Sequence, residues 1–304
     1  MTAGKALDGR VVLVTGGGRG IGRAHCLELA AQGASVVVND PGVGRDGTSL
    51  DEGPAAAVVA EIEALGGSAV AHTGSVSSWD DVADMVQTAV ETFGTLTGVV
   101  NNAGIVRDAT ITNVTEDDWD AVIAVHLKGT FAVTRHACNY WRTQSKAGLP
   151  VDARIVNTIS GAGMWGSVGQ SAYGAAKAAI ATLTVVTAME GRRYGVTANS
   201  ISPLAVTRLS KEFFSGKSAA DSSLDPARSS AVVAWLQSEQ SGWLTGQILR
   251  VNGHVLSRVE GFTEAPGRYH AENGVSLEFS EIGQAAGWLY GTAPRGLAGP
   301  LPHQ

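Results

Sequence analysis

Residues 10–22 read RVVLVTGGGRGIG, so an apolar run comes directly before five closely spaced glycines. The apolar run predicts a buried strand, and Ile21–Gln32 that follows has the periodicity of a helix. Glycines allow the positive φ of a tight turn and let a pyrophosphate approach the backbone closely. The helix start adds free N–H groups and the positive end of its dipole. This order predicts a dinucleotide-binding loop, with contacts from Gly16, Gly18, Arg19, Gly20 and Ile21.

Short apolar runs alternate with helical patterns along most of the chain. The predicted strands are Arg10–Thr15, Ser35–Asn39, Ser68–Thr73, Gly98–Asn101, Arg154–Thr158, Thr197–Ser202 and Gln247–Val251. The predicted helices are Ile21–Gln32, Pro54–Leu65, Trp79–Phe93, Glu116–Trp141 and Tyr173–Tyr194. This alternation predicts an α/β fold with a doubly wound (Rossmann) parallel sheet, whose ligands bind at the carboxyl ends of the strands.

The pattern predicts one domain over residues 1–253 and a C-terminal extension over residues 254–304. The extension contains many Gly and Pro residues and has no clear periodicity, so we expect it to be irregular and not an independent domain. Pro41–Gly53 and Lys146–Ala153 are predicted to be insertions into the alternating plan.

Composition excludes several classes of function. The 304 residues carry a net charge of −6 without a Lys/Arg block, which argues against nucleic acid and anionic membranes as partners. Two cysteines, Cys26 and Cys138, form no disulfide framework and offer no metal-ligand spacing. No signal peptide or membrane-spanning run is recognised, so we expect a cytoplasmic protein without a metal.

Asp40 ends the second predicted strand, 18 residues after Gly22, where a ribose-binding acid is expected. A carboxylate there accepts hydrogen bonds from the adenosine ribose and repels the additional phosphate of NADP. We therefore expect NAD as the cofactor. Arg19 and Arg45 lie close by in sequence and leave NADP as the alternative.

Four motifs together resemble the short-chain dehydrogenase/reductase family. They are the glycine pattern at Thr15–Gly22, Asn101-Asn102-Ala103-Gly104, Ser160, and Tyr173-Gly174-Ala175-Ala176-Lys177. The resemblance covers about Gly9 to Gly253 and implies that Tyr173 is the catalytic acid/base. It also implies that Lys177 holds the nicotinamide ribose and that Ser160 acts with both. Asn102, Ala103 and Gly104 are expected beside the cofactor.

The chemistry of these residues agrees with the resemblance. Interconverting an alcohol and a ketone requires a group that gives or takes the hydroxyl proton. Tyr173 and Lys177 are four residues apart and therefore share a helix face. A nearby ammonium is expected to lower the pKa of the tyrosine from about 10. Ser160 is expected to donate a hydrogen bond to the same substrate oxygen.

The sequence departs from the family pattern at several positions. His126 stands where the family often has Asn, so it is a further catalytic candidate. Gly74-Ser75-Val76 replaces the usual Asp segment, which assigns adenine contacts to Ser75 and Val76. Pro203-Leu204 replaces the usual Pro-Gly, and Pro203 and Thr207 are assigned to the nicotinamide.

Within the family, three segments look similar to the hydroxyacyl-CoA dehydrogenase domain of multifunctional enzymes and to bacterial relatives of acyl-CoA or steroid side-chain oxidation: residues 38–42 (VNDPG) with the insertion that follows, residues 101–108 (NNAGIVRD) and residues 125–129 (VHLKG). This predicts a bulky apolar alcohol or ketone as substrate, 3-hydroxyacyl-CoA or steroid-like, with walls from Met164, Trp165, Phe213 and Phe214. The alternatives are an NADP-dependent ketoreductase and a cofactor-binding scaffold without turnover. The family resemblance also predicts a homodimer or homotetramer.

Overall fold

The computed structural model describes residues 5–47, 53–204, 225–261, 267–272, 274–275 and 277–290. Eight strands form one sheet in the order β3-β2-β1-β4-β5-β6-β7-β8. All neighbouring pairs are parallel except β7 and β8. The strands are β1 (Val11–Thr15), β2 (Ser35–Asn39), β3 (Ser68–His72), β4 (Gly98–Asn101), β5 (Ala153–Thr158), β6 (Val196–Leu204), β7 (Ile248–Asn252) and β8 (Val255–Val259).

The strand order reverses between β1 and β4, which opens a crevice at their carboxyl ends. The predicted doubly wound parallel sheet is thereby confirmed. The helices are α1 (Gly20–Ala31), α2 (Pro54–Ala64), α3 (Trp79–Phe93), α4 (Glu116–Ile123), α5 (Gly129–Lys146), α6 (Gly161–Trp165), α7 (Ser171–Gly191), α8 (Ser230–Gln237) and α9 (Ile282–Tyr290).

Each face of the sheet is covered by its own hydrophobic core. Val11 and Leu13 of β1 point to the face that α3 and α5 cover, while Val12 and Val14 point to the face of α1, α2 and α8. Because successive strand residues alternate between faces, a strand buried on both sides must be apolar at every position. This is why the predicted strands are continuous apolar runs.

The predicted helix Glu116–Trp141 is interrupted by one π-helical turn, Ala124–Lys128, which joins α4 to α5. A π turn accommodates one additional residue, and such turns often occur at functional sites. The sequence pattern had not distinguished this turn from a regular helix. It carries His126.

Helix α7 and the 3-10 turn after it form the one stretch of the described residues, Ser171–Tyr194, that is long and apolar enough to cross a membrane. Its most apolar window has a mean hydropathy of 1.3. The helix packs against β6 and buries Lys177, which is typical of a core helix beside a sheet.

The expected boundary at residue 253 is wrong, because Val255–Val259 forms β8 and pairs antiparallel with β7. A two-residue loop, Gly253-His254, joins the two strands, and Gly253 has a φ of 57°. Glycine at the first loop position is typical of a tight hairpin turn. The chain separates into units of residues 1–259 and 260–304. The second unit is also less irregular than expected, since it contains α9 and a contact between the rings of Tyr269 and Trp288.

Candidate active site

The glycine loop after β1 has a backbone that side chains would obstruct. Gly16 and Gly20 have φ values of 62° and 53°. A Cβ on Gly18 would lie 2.8 Å from Asp40 Oδ2, and one on Gly22 would lie 2.0 Å from the carbonyl oxygen of Gly16. The loop is therefore a cradle of bare backbone at the start of α1, which fits the phosphates of a dinucleotide.

Asp40 lies directly against this cradle. Its Oδ2 accepts a hydrogen bond from the backbone N–H of Gly18 (3.0 Å), and its Oδ1 accepts one from Gly42 (2.8 Å). The residue is 8% exposed. Each carboxylate oxygen can accept more than one hydrogen bond, so both can also accept a ribose hydroxyl.

The insertion after β2 extends the wall of the cleft. Arg19 donates a hydrogen bond to the carbonyl of Val43. The Arg45 carbonyl accepts from the N–H of Val106, and the Arg45 guanidinium lies 3.8 Å from the Asp108 carboxylate. Residues 43–46 are thus tied to the segment that follows β4.

The Asn101–Gly104 segment lies beside the glycine loop. The Asn102 side chain donates to the carbonyls of Thr15 (3.1 Å) and Gly16 (3.0 Å), and the N–H of Ala103 donates to Thr15 Oγ1. Gly104 has a packing role, since a Cβ there would lie 2.4 Å from Cε1 of His126. These contacts hold the shape of the cradle.

The two residues assigned to adenine differ in their surroundings. The N–H of Ser75 donates to Asp81 at the start of α3 (2.8 Å). Val76 is buried in the core and packs against Gly129, so its side chain is already occupied. If Val76 contacts a cofactor, its backbone must therefore make the contact.

Ser160, Tyr173 and Lys177 are brought together by the carboxyl end of β5 and the first turns of α7. The Ser160 side chain caps the short helix α6 and forms a hydrogen bond with Tyr173. Lys177 is 4% exposed, and its Nζ donates to the carbonyl of Thr158 (2.6 Å). The same Nζ lies 5.6 Å from the centre of the Tyr173 ring.

The expected lowering of the Tyr173 pKa is wrong for the protein alone. Burial raises the pKa of Tyr173, the hydrogen bond from Ser160 lowers it, and the charge of Asp108 raises it. Burial also lowers the pKa of Lys177 to about 7, so this ammonium is only partly protonated near neutral pH. The Lys177 ammonium lies against the ring of Tyr173 and donates its hydrogen bond to the Thr158 carbonyl. This explains why the lysine has little effect on the pKa of the Tyr173 hydroxyl.

His126 packs edge-to-face on Tyr173, with ring centres 5.1 Å apart. Its Nε2 lies 2.7 Å from the carbonyl oxygen of Ile105 and 3.2 Å from the backbone nitrogen of Ile105, so the backbone of Ile105 anchors the ring in either tautomer. Burial, together with the charge of Lys177, lowers the pKa of His126 to about 3. His126 is thus a neutral ring that supports Tyr173, and a role as an acid near neutral pH does not fit.

Sequence reasoning missed a buried polar chain beneath the catalytic residues. Asn101 donates to Asn157 (2.8 Å), Asn157 donates to Thr184 (2.8 Å), and Thr184 shares a hydrogen bond with Ser200 (2.8 Å). This chain links β4, β5, α7 and β6. The available signal was the presence of an asparagine in each of two apolar strands, since buried amides are almost always paired.

A second missed residue is Gly163 in α6. A Cβ there would lie 2.6 Å from the backbone nitrogen of Ala178 and 2.8 Å from Cβ of Lys177. This glycine therefore allows α6, which begins directly after Ser160, to contact the helix that carries Tyr173 and Lys177.

Two of the four residues predicted to form the substrate wall, Met164 and Trp165, belong to the described part of the chain. Met164 packs against Ile159, Ile180 and Ile248 and is therefore partly a core residue. Trp165 ends α6 and stacks on Arg250. Pro203 lies near the carboxyl end of β6. Thr207, Phe213 and Phe214 lie outside the described residues.

Comparison with known proteins finds dehydrogenases and multifunctional enzymes among the similar sequences and structures. Hydroxyacyl-CoA dehydrogenase ChsB1 of Mycobacterium tuberculosis is 42% identical over 260 residues, which are 83% of this chain and 80% of that protein. Peroxisomal multifunctional enzyme type 2 of Mus musculus is 44% identical over 206 residues, 67% of this chain but only 26% of that protein. A crystal structure of a short chain dehydrogenase from Mycobacterium avium is 50% identical, with a TM-score of 0.84, and covers 95% of this chain and 97% of that one.

The family profile of the short chain dehydrogenases matches residues 10–217, which include the glycine cradle and Ser160, Tyr173 and Lys177. Members of this family use a nicotinamide cofactor, and the cradle and Asp40 fit one. The chain therefore belongs to the short chain dehydrogenase family and is an oxidoreductase that acts on CH–OH groups.

Proposed function

We propose that the protein is an NAD-dependent dehydrogenase that interconverts a secondary alcohol and a ketone on a bulky apolar substrate, a 3-hydroxyacyl-CoA thioester. The observation that carries this proposal is the grouping of Ser160, Tyr173 and Lys177 at the carboxyl end of the sheet, beside the glycine cradle. Ligands of open α/β sheets bind at this edge.

In the oxidative direction Tyr173, as phenolate, takes the proton of the substrate hydroxyl. Ser160 donates a hydrogen bond to the same oxygen and orients it. Lys177 is placed to bind the ribose next to the nicotinamide and to exchange protons with the tyrosine. The glycine cradle and Asp40 would hold the nicotinamide cofactor, which would supply the acceptor for the hydride of the substrate carbon. The products are a ketone, the reduced cofactor and one proton.

The preference for NAD is supported by Asp40. A buried carboxylate next to the cradle offers two acceptors to ribose hydroxyls and carries the wrong charge for a phosphate. Arg19 and Arg45 left NADP as the alternative. Arg19 donates a hydrogen bond to the Val43 carbonyl in the insertion, and the Arg45 guanidinium lies against the Asp108 carboxylate. Their positive charges are thereby directed toward protein groups.

The substrate class is supported by the names of the relatives, two of which act on hydroxyacyl-CoA or belong to peroxisomal multifunctional enzymes. It is also supported by the partly buried Met164 and Trp165 in α6, directly after Ser160. Soft and aromatic side chains at this position suit an acyl chain or a sterol ring.

Turnover measured with NAD and with NADP on panels of 3-hydroxyacyl-CoA thioesters, hydroxysteroids and simple secondary alcohols tests the proposal. We expect the highest kcat/KM with NAD and an acyl-CoA thioester. A clear preference for NADP would contradict the role of Asp40, and turnover of simple alcohols alone would contradict the substrate class.

Tyr173→Phe tests the mechanism. The variant should lose turnover almost completely and retain NAD binding, because only the proton-transferring hydroxyl is removed. Tyr140→Phe is the matched control, since its hydroxyl contacts Thr95 Oγ1 (3.5 Å), which lies shortly before the amino end of β4. Normal turnover in Tyr173→Phe would refute the mechanism.

We also propose that the protein forms a homo-oligomer through α5 and α7. Phe131, Val185, Val186 and Met189 on these helices are exposed although apolar, and Met189 is 75% exposed. Exposed apolar patches of this kind often mark protein interfaces. Light scattering of the purified protein measures the state, and a monomer would contradict the proposal.

A further inference from the structure

We propose that Arg250, stacked on Trp165, binds an anionic oxygen group of the substrate, either a phosphate or a carboxylate. The proposal rests on the dehydrogenase function inferred above and adds a subsite to it. The Arg250 guanidinium carbon lies 4.5 Å from the centre of the Trp165 ring.

The position of Arg250 on its strand directs it toward the reactive side of the sheet. Ile248, two residues earlier on β7, packs against Ile159 and Ile180, the neighbours of Ser160 and Lys177. Because side chains two residues apart share a face, Arg250 lies on this same face. It is also two residues closer to the carboxyl end of β7, where ligands of such sheets bind.

Arg250 is a cation that lies between uncharged neighbours on its two sides in the sheet. No carboxylate pairs with it within the described part of the chain. Its neighbours across the ladder are Ser202 of β6 and Ser257 of β8, which are both uncharged. The side chain is only partly buried.

Stacking on Trp165 prepares the guanidinium for an anion. The cation–π contact uses the face of the group and leaves its five N–H donors, which point outward in its plane, free. These donors match the oxygens of a carboxylate or phosphate. The contact also restricts the side chain, so less conformational freedom is lost when a ligand binds.

The phosphates of the cofactor are too far away to be this anion. They belong at the glycine loop after β1, and three strands, β4, β5 and β6, lie between β1 and β7. Four strand spacings of about 4.8 Å amount to about 19 Å. The anion must therefore come from the other ligand, the substrate.

The distance to the reactive centre suits a substrate group. Arg250 is in register with Ser202, and Ile201 is in register with Thr158, two residues before Ser160. Arg250 is thus about level with Ser160 and two strands away, a backbone separation of about 10 Å. A substrate held at Ser160 and Tyr173 reaches Arg250 with a charged group some distance along its chain.

Calorimetric titration of the NAD-loaded protein tests the subsite without turnover. The probes are coenzyme A against pantetheine, which lacks its phosphates and its adenosine, and sebacate against dimethyl sebacate, which lacks its charges. Arg250→Gln removes the charge, and Arg250→Lys retains it if the first variant is poorly folded. Arg193→Gln is the matched control, because Arg193 also stacks on an aromatic ring, Tyr194, at 4.7 Å, but at the opposite end of the sheet.

We expect Arg250→Gln to weaken binding of one anionic probe about tenfold or more and to leave its neutral counterpart unchanged. Weaker binding of coenzyme A identifies a phosphate, and weaker binding of sebacate identifies a carboxylate. Arg250→Lys should lie between this variant and the wild type. Equal affinities of each charged probe and its neutral counterpart, or unchanged affinities in Arg250→Gln, would overturn the proposal.

The same variant separates this subsite from the proposed function. With the matching substrate, Arg250→Gln should raise KM and leave kcat unchanged, since the arginine does not touch the reacting atoms. If the wild type binds an anionic probe through Arg250 but oxidises no thioester, the substrate assignment fails while the anion subsite stands.

Discussion

Replacing Gly163 with alanine should impair catalysis without removing any catalytic group. The new Cβ would lie 2.6 Å from the backbone nitrogen of Ala178, and ordinary contact begins at 3.4 Å. Helix α6 must therefore move by 3.4 − 2.6, about 0.8 Å. Since α6 begins directly after Ser160, the shift separates Ser160 from Tyr173. A misplacement of about 1 Å costs about 100-fold in rate, and overpacking costs about 1–3 kcal/mol of stability.

Steady-state kinetics and thermal unfolding of Gly163→Ala measure both effects. Gly161→Ala is the matched control in the same helix, because its Cβ would meet only the edge of the Trp165 ring, at 3.2 Å. We expect kcat to fall about 100-fold in the first variant and only a few-fold in the second. A Gly163→Ala enzyme with normal kcat and normal melting temperature would refute the argument from helix contact.

Three further predictions concern pH and the cofactor. Burial lowers the pKa of His25 from 6.5 to about 3, so protons bind the unfolded chain preferentially between these values. The free energy of unfolding should therefore fall as pH drops through this window, by at most about 1.4 kcal/mol per pH unit from this residue. Urea unfolding of His25→Gln at a series of pH values should show a weaker dependence of this free energy on pH. Asp40→Asn should lower the preference for NAD over NADP about tenfold in kcat/KM, and an unchanged ratio would contradict its role. Asp108→Asn should move the rising limb of the pH profile for alcohol oxidation to lower pH, because the charge of Asp108 raises the pKa of Tyr173; a shift to higher pH would contradict this electrostatic assignment.

The glycine cradle and the Tyr173–Lys177 pair were predictable because both are local. A strand–glycine–helix order and a four-residue helical spacing are each set within a few neighbouring residues. The strands were likewise predictable, since burial on both faces makes each one a continuous apolar run.

Features that depend on partners from distant parts of the chain were not predictable. Asn101 and Asn157 pair only because β4 and β5 are neighbours in the sheet, and Gly163 matters only because α6 touches α7. The Tyr173 pKa shifts in the unexpected direction because burial outweighs a lysine whose proton is directed elsewhere. The hairpin that adds β8 did have a local signal, the glycine at position 253.

The π-helical turn at Ala124–Lys128 makes the site sensitive to the length of the chain. Each residue of a helix advances the direction of the side chains by about 100°. The π turn absorbs one such residue, so deleting one residue from it would restore a regular helix, leave α4 and α5 in phase with each other, and change the direction of the side chains inside the turn, including the imidazole that faces Tyr173. The number of residues in a single turn thus determines which group supports the tyrosine, and a single-residue deletion here would do more harm than many substitutions.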